Sequence, residues 1–240
     1  MKYQGILFDL DGTLLPMDNT AFIKGYLGLL SKAVAHLGYT PDTMIPTMWQ
    51  GVAAMVKNDG SRTNYDIFWD YFSAAFGKEV YTHVPTFDAF YADINGFHKA
   101  KALTAPTPYS KQAVALAREK SSHVVLATNP FFPRVAVESR MSWAGLSPAD
   151  FDLVTTYENS HSCKPNPAYY REICEKLGLD PKRCLMIGNN AEEDVAAAAA
   201  VGMDTYLLTE CLIDEKGLLE KGLDCPRGSF ADLIAFLKDL

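Results

Sequence analysis

Apolar positions along this 240-residue chain change rhythm twice. A short apolar run over 5–8 leads into two carboxylates, Asp9 and Asp11, and then into Gly12-Thr13; it reads as a strand ending in a turn. Helical spacing then takes over. Phe22, Tyr26, Leu29, Leu30, Ala33, Val34 and Leu37 mark a helix over 20–37 that stops at Gly38. Further helices are predicted over 41–56, 64–76 and 86–97, and no strand-like alternation interrupts them. A Pro-punctuated connector over 103–108 begins a third regime, in which helix and strand alternate. Strands are predicted over 122–127, 151–156, 183–187 and 204–208. Helices are predicted over 110–120, 133–143, 192–201 and 229–240, with another opened by Pro165 or Pro167.

Strands separated by helices imply a parallel sheet covered on both faces. The expected fold class is therefore α/β, a doubly wound, Rossmann-like parallel sheet with a smaller all-helical unit. Residues 1–17 and 105–240 would form the α/β core, and 18–104 the helical insert. The insert is rich in aromatic residues, but at helical spacing, which argues for core filling of a small bundle. In sheets of this kind ligands bind beyond the carboxyl ends of the strands. Asp9, Asp11, Thr128 and Gly188-Asn189-Asn190 all fall at such ends, so the pattern gathers them on one edge.

Composition narrows the choice of partner. Hydrophobic content of 48% and charged content of 21% are ordinary for a globular protein, and a formal net charge of -7 gives no electrostatic footprint for nucleic acid. An anionic substrate would need a local positive centre. The five cysteines include no CxxC pair, so neither a zinc site nor a disulfide framework is expected. No leader-like segment opens the chain, and its longest apolar run, 195–201, is too short to span a bilayer. A cytoplasmic protein without membrane partners is the expectation.

Like charges as close as Asp9 and Asp11 call for a cation between them. A plain Asp-Gly turn accounts for Asp11-Gly12 but leaves Asp9 unexplained at the end of a buried strand. A hard cation with oxygen ligands suits Mg²⁺. Asn189, Asn190, Glu192, Glu193 and Asp194 supply further oxygens, although acids there also suit a helix N-terminus. Thr13, Thr128 and Asn129 offer hydroxyl, amide and N–H groups to a phosphate, and Lys164 supplies positive charge. Arg62 and Lys57, flanking an Asn-Asp-Gly turn, could reach an anionic substrate; His161 and Cys163 read as structural.

Asp9-Leu10-Asp11-Gly12-Thr13, Thr128, Lys164-Pro165 and the segment 188–194 occur in the order of the four motifs of the haloacid dehalogenase superfamily, which the chain resembles over its whole core. The insert resembles that family's cap placed between the first two motifs. The resemblance implies Asp9 as the nucleophile that becomes an aspartyl-phosphate, and Asp11 as general acid and then base. It implies Thr128 and Lys164 as phosphoryl-binding and charge-offsetting groups. Asp9, Asp11, Asn189 and Asp194 would form the Mg²⁺ site, with Thr13, Asn129 and Arg62 on the substrate. One position departs from the pattern: Asn189 stands where members usually carry a metal-binding Asp. The dehalogenase branch lacks that Asp too, but it also replaces the second Asp of the first motif, which is present here as Asp11. The implied activity is a Mg²⁺-dependent phosphatase acting on a small phosphorylated metabolite. A phosphoryl-transferring mutase, and a catalytically weakened domain that binds a phosphorylated ligand or protein, are the alternatives.

Overall fold

The computed structural model describes residues 2–240. Its sheet has six parallel strands in the order β3-β2-β1-β4-β5-β6, formed by Tyr3–Phe8, Ser121–Leu126, Leu153–Val154, Cys184–Gly188, Asp204–Leu208 and Arg227–Gly228 in chain order from β1. β1 is central. Phe8 lies level with Leu126 on one side and Ile187 on the other, so Asp9 emerges at the point where the strand order reverses. The backbone continues this pairing one residue further: Asp9 donates to Ile187, and Ala127 donates to Phe8.

Period-2 alternation sends Ile6 and Phe8 to one face and Leu7 to the other. The first face packs on α5 (Pro108–Lys120) and α9 (Phe230–Lys238) through Val114, Ala117 and Leu233. The second packs on α7 (Pro167–Leu177) through Tyr169, Tyr170 and Ile173. α6 (Arg134–Trp143) follows β2, and its Ala136, Val137 and Met141 join the first of these clusters.

Residues between β1 and α5 form α1 (Asn19–Val34), α2 (Pro41–Val56), α3 (Asn64–Phe76) and α4 (Val80–Ala92). The entering and leaving connectors run side by side: Met17 bridges Thr104, and Ala105 N–H donates to Pro16 O at 2.7 Å. The helices are anchored to the core loop 157–163. Asn64 N–H donates to Ser160 O (2.8 Å), its side-chain amide reaches Ser162 O (3.3 Å), and Trp69 Nε1 donates to Tyr157 Oη (3.1 Å). Aromatic packing is continuous across this junction, with Phe97 touching Tyr26 and Phe22 on α1 and Trp143 on α6.

Four elements differ from the sequence expectation, among them the two-residue sixth strand β6, which lies where no strand was predicted. α4 begins six residues before the anticipated 86–97, because Val80 and Val84 extend the apolar stripe, and it continues through Pro85, which removes one i→i−4 bond from its interior. The helix ends before Gly96, and Phe97 opens a separate 3₁₀ stretch, Phe97–Leu103. β3 is only two residues long; at its start the Asp152 carboxylate accepts from Val124 N–H at 2.8 Å in place of a backbone carbonyl, and beyond it Thr155 bonds to β2 through both its N–H and its hydroxyl. In place of a uniform helix over 192–201 there is a π-helical turn, Ala191–Ala196, running into a short α8, Ala197–Ala199. No helix among the described residues is long and apolar enough to cross a membrane.

Phe97 is fully buried where α1, α4 and α6 meet. Phe97→Ala should destabilise the protein by about 3–5 kcal/mol in urea titration. Because the cluster joins the helical unit to the core, unfolding of wild type followed by Trp fluorescence and by circular dichroism should give coincident transitions.

Candidate active site

The carboxyl ends of β1, β2 and β4 meet in a cleft lined by Asp9, Asp11, Thr128, Asn129, Asn189, Asn190, Glu193 and Asp194, and closed on one side by Ile23, Phe131 and Phe132. Beneath it lies Lys164, wholly buried. Its ammonium donates to Asp9 Oδ1 at 2.9 Å and to Asp194 Oδ1 at 2.6 Å. Burial alone would lower the lysine pKa, but the two carboxylates hold it well above the usual value. One cation serving two acids leaves the pair under-neutralised. Burial pushes the Asp9 carboxyl up to about 7, against the pull of Lys164 and with the help of Asp194 and Asp11.

Asp194 reaches Lys164 because the π turn folds it back over Gly188. Its second oxygen accepts from Asn190 N–H at 3.0 Å, and a Cβ at position 188 would lie 2.1 Å from that oxygen. Both oxygens of Asp194 are therefore engaged by protein groups. Asn190 caps the same turn by accepting from Glu192 and Glu193 N–H.

Asn189 is held as tightly. Its Oδ1 accepts from Thr13 Oγ1 at 3.0 Å, and its Nδ2 donates to Cys211 O at 2.6 Å. Gly12, at φ 84°, lies so close that a Cβ there would stand 2.4 Å from Nδ2. An amide fits this position because one end must accept and the other must donate; a carboxylate would set an oxygen against the Cys211 carbonyl. Thr13 also reaches Asp9 Oδ2, at 3.3 Å.

Two further groups complete the electrostatics. Asn129 donates to Glu193 Oε2 at 3.1 Å, and burial pushes the Glu193 carboxyl up to about 7. Arg140 on α6 is fully buried, with its guanidinium 4.0 Å above the Phe132 ring and Nε 3.4 Å from Asp11 Oδ1. None of its three nitrogens makes a hydrogen bond to another described residue. Sequence reading passed over Arg140, although it occupies the buried stripe set by Ala136, Val137 and Met141. Burial raises the Asp11 carboxyl, and Arg140 opposes that rise.

The structure brings Asp9, Asp11, Thr13, Thr128, Asn129, Lys164, Asn189 and Asp194 together. Arg62 lies elsewhere: it is exposed on the insert and paired with Asp70 at 2.5 Å and Asp66 at 4.0 Å, because the i+4 and i+8 carboxylates of its own segment are nearer than the cleft. No cluster of three or more His, Cys, Asp or Glu residues among those described is arranged to hold a metal. A divalent cation nonetheless fits the donor set. Four carboxyl groups, Asp9, Asp11, Glu193 and Asp194, share two cationic side chains, Lys164 and Arg140, and every donor facing the cleft is an oxygen or amide. Mg²⁺ needs only one or two carboxylates, completing its shell with water and phosphate.

Two measurements probe these arrangements in the metal-free protein. Asn189→Asp should lower stability by about 1–3 kcal/mol at pH 8, because it breaks the bond to Cys211 O and adds a buried negative charge. The folded protein keeps a proton on Glu193 to higher pH than the unfolded chain does, so this group costs stability as pH rises from about 4.5 through about 7. Glu193→Gln should therefore raise thermal stability at pH 8, by about 1–3 kcal/mol, and change it little at pH 4.5.

Comparison with known proteins agrees with this geometry. The family model of haloacid dehalogenase-like hydrolases matches residues 3–202. Glyceraldehyde 3-phosphate phosphatase of Methanothermobacter thermautotrophicus is 26% identical over 243 residues, covering 99% of each chain. Phosphoglycolate phosphatase of Neisseria gonorrhoeae is 24% identical over 82% of this chain and 76% of its own. Among solved structures, a HAD phosphatase from Thermococcus onnurineus superposes with a TM-score of 0.58 at 18% identity, over 98% of this chain and 97% of its own. The fold, the order of the motifs and the family match agree, and this chain belongs to the haloacid dehalogenase-like hydrolases.

Proposed function

We propose that this hydrolase is a Mg²⁺-dependent phosphatase that acts on a small phosphorylated metabolite through an aspartyl-phosphate on Asp9. The observation that carries the reading is the buried Lys164, bonded to Asp9 at 2.9 Å beneath a cleft that Asp11 and Thr128 also line. A carboxylate can approach a phosphate dianion only if their repulsion is screened, and Lys164 supplies part of that screening from a low-dielectric position. Its relatives among curated proteins are phosphatases of small phosphorylated metabolites.

In this reading Asp9 attacks phosphorus while the bond from phosphorus to the alcohol oxygen breaks. Asp11 gives its proton to the departing alcohol, then takes one from the water that cleaves the aspartyl-phosphate and releases inorganic phosphate. Lys164, bonded to Asp9 Oδ1, fixes the carboxylate rotamer, and Thr13 Oγ1 lies 3.3 Å from Oδ2. Thr128 and Asn129 face the transferring group from the end of β2. Asp9, the main-chain carbonyl of Asp11 and Asn189 Oδ1 would hold Mg²⁺, with Asp194 acting on it through Lys164. The ion supplies the remaining charge neutralisation of phosphate and nucleophile. Helices α1–α4, as a cap spanning 18–104, would exclude water from this chemistry.

The test is hydrolysis of phosphomonoesters with Mg²⁺ and with EDTA. Turnover should vanish in EDTA and return with Mg²⁺, and Asp9→Asn should reduce kcat by about a thousandfold or more. Turnover undiminished in Asp9→Asn would overturn the reading.

A further inference from the structure

Phe131 and Phe132, which close the catalytic cleft on one side, belong to two cavities. Ile23, Phe131 and Phe132 are a shared wall, and their other side lines a second pocket between the helical insert and the core. Met48, Trp49, Val52 and Phe68 from α2 and α3 form its far side. Many insert aromatics are core residues, as their helical spacing predicted, but this subset frames open space. Trp49, at the mouth, is 49% exposed.

The lining is unusual in its charge. It contains no Lys, Arg or His; its single ionisable side chain other than tyrosine is Asp88. The basic residues nearest in sequence to this lining, Lys24 and Lys57, are exposed and lie outside it, and Arg62 is turned onto Asp70. In this pocket a second anionic group, such as a carboxylate, would meet Asp88, and Arg140, stacked behind the Phe132 ring, does not line it. Desolvating that charge against apolar walls is costly. An uncharged apolar group would instead exchange water for aromatic and aliphatic contact.

Resting on the phosphatase reading above, we infer that the alcohol released by this enzyme is uncharged and predominantly apolar, a monoester of an alkyl or aryl alcohol whose hydrocarbon part lies against Ile23, Phe131 and Phe132 and enters the pocket of Met48, Val52 and Phe68. Phosphorus sits at Asp9, and the leaving oxygen at Asp11. The carbon chain then passes over the shared wall. This assignment separates the chain from relatives named for phosphoglycolate, whose substrate carries a carboxylate.

The experiment is a series of n-alkyl phosphates, ethyl, butyl and hexyl, measured beside 2-phosphoglycolate with Mg²⁺. The leaving alcohols of the series have similar acidity, so the chemistry is held constant while buried area grows. kcat/KM should rise about three- to fourfold per methylene until the pocket is filled, and 2-phosphoglycolate should fall well below hexyl phosphate. Val52→Lys, which places an ammonium in the pocket, should reduce the hexyl-to-ethyl ratio by about tenfold or more. Trp49→Ala, at the exposed mouth, should reduce it by a smaller factor. Each ratio is taken on one preparation, so it is independent of the fraction folded. A flat alkyl series, or 2-phosphoglycolate as the better substrate, would overturn the inference while leaving the phosphatase reading intact. Absence of turnover with every ester in wild type would overturn both.

Discussion

A single ammonium group organises this active edge. Lys164 arrives from the loop before α7, carries no solvent exposure, and ties the end of β1 to the turn after β4 through Asp9 and Asp194. Such a buried ion pair is weak as a source of stability, because desolvation of the charges offsets most of their attraction. Its value here is positional. Two carboxylates that would otherwise repel are held at 2.9 and 2.6 Å from one centre, and the residual negative charge is left facing the cleft. Everything else at the edge adapts to that arrangement.

The turn after β4 illustrates the adaptation. Gly188 has no side chain because Asp194 occupies the space, and Gly12 has none because Asn189 does. The helix that follows opens with a π turn, a distortion frequent at functional sites, and Asp194 within that turn faces Lys164. Asn189, which looked like a lost ligand when compared with the family pattern, has a structural reason to be an amide: it accepts from Thr13 and donates to Cys211.

Much of this was legible in the sequence, for physical reasons. The alternation of strand and helix after residue 105 and the acids at the ends of apolar runs both report short-range periodicity, which a linear chain displays directly. The α/β class, the parallel sheet and the convergence of Asp9, Thr128 and Asn189 follow from it. What was not legible depends on long-range packing. Arg62 reads as a free cation until Asp66 and Asp70 are seen beside it. Arg140 reads as an ordinary basic residue near a helix end, and only the fold places it behind Asp11. The π turn and the two-residue strands β3 and β6 are set by tertiary contacts that override local propensity.

The paired connectors have an evolutionary corollary. The chain enters the helical insert beyond Met17 and leaves it at Thr104, two residues that bridge one another. An excursion whose two ends touch can be lengthened, shortened or exchanged for another without altering strand order, register or the position of Asp9 and Lys164. Selection can therefore reshape the insert's share of the substrate pocket without moving the residues that cleave.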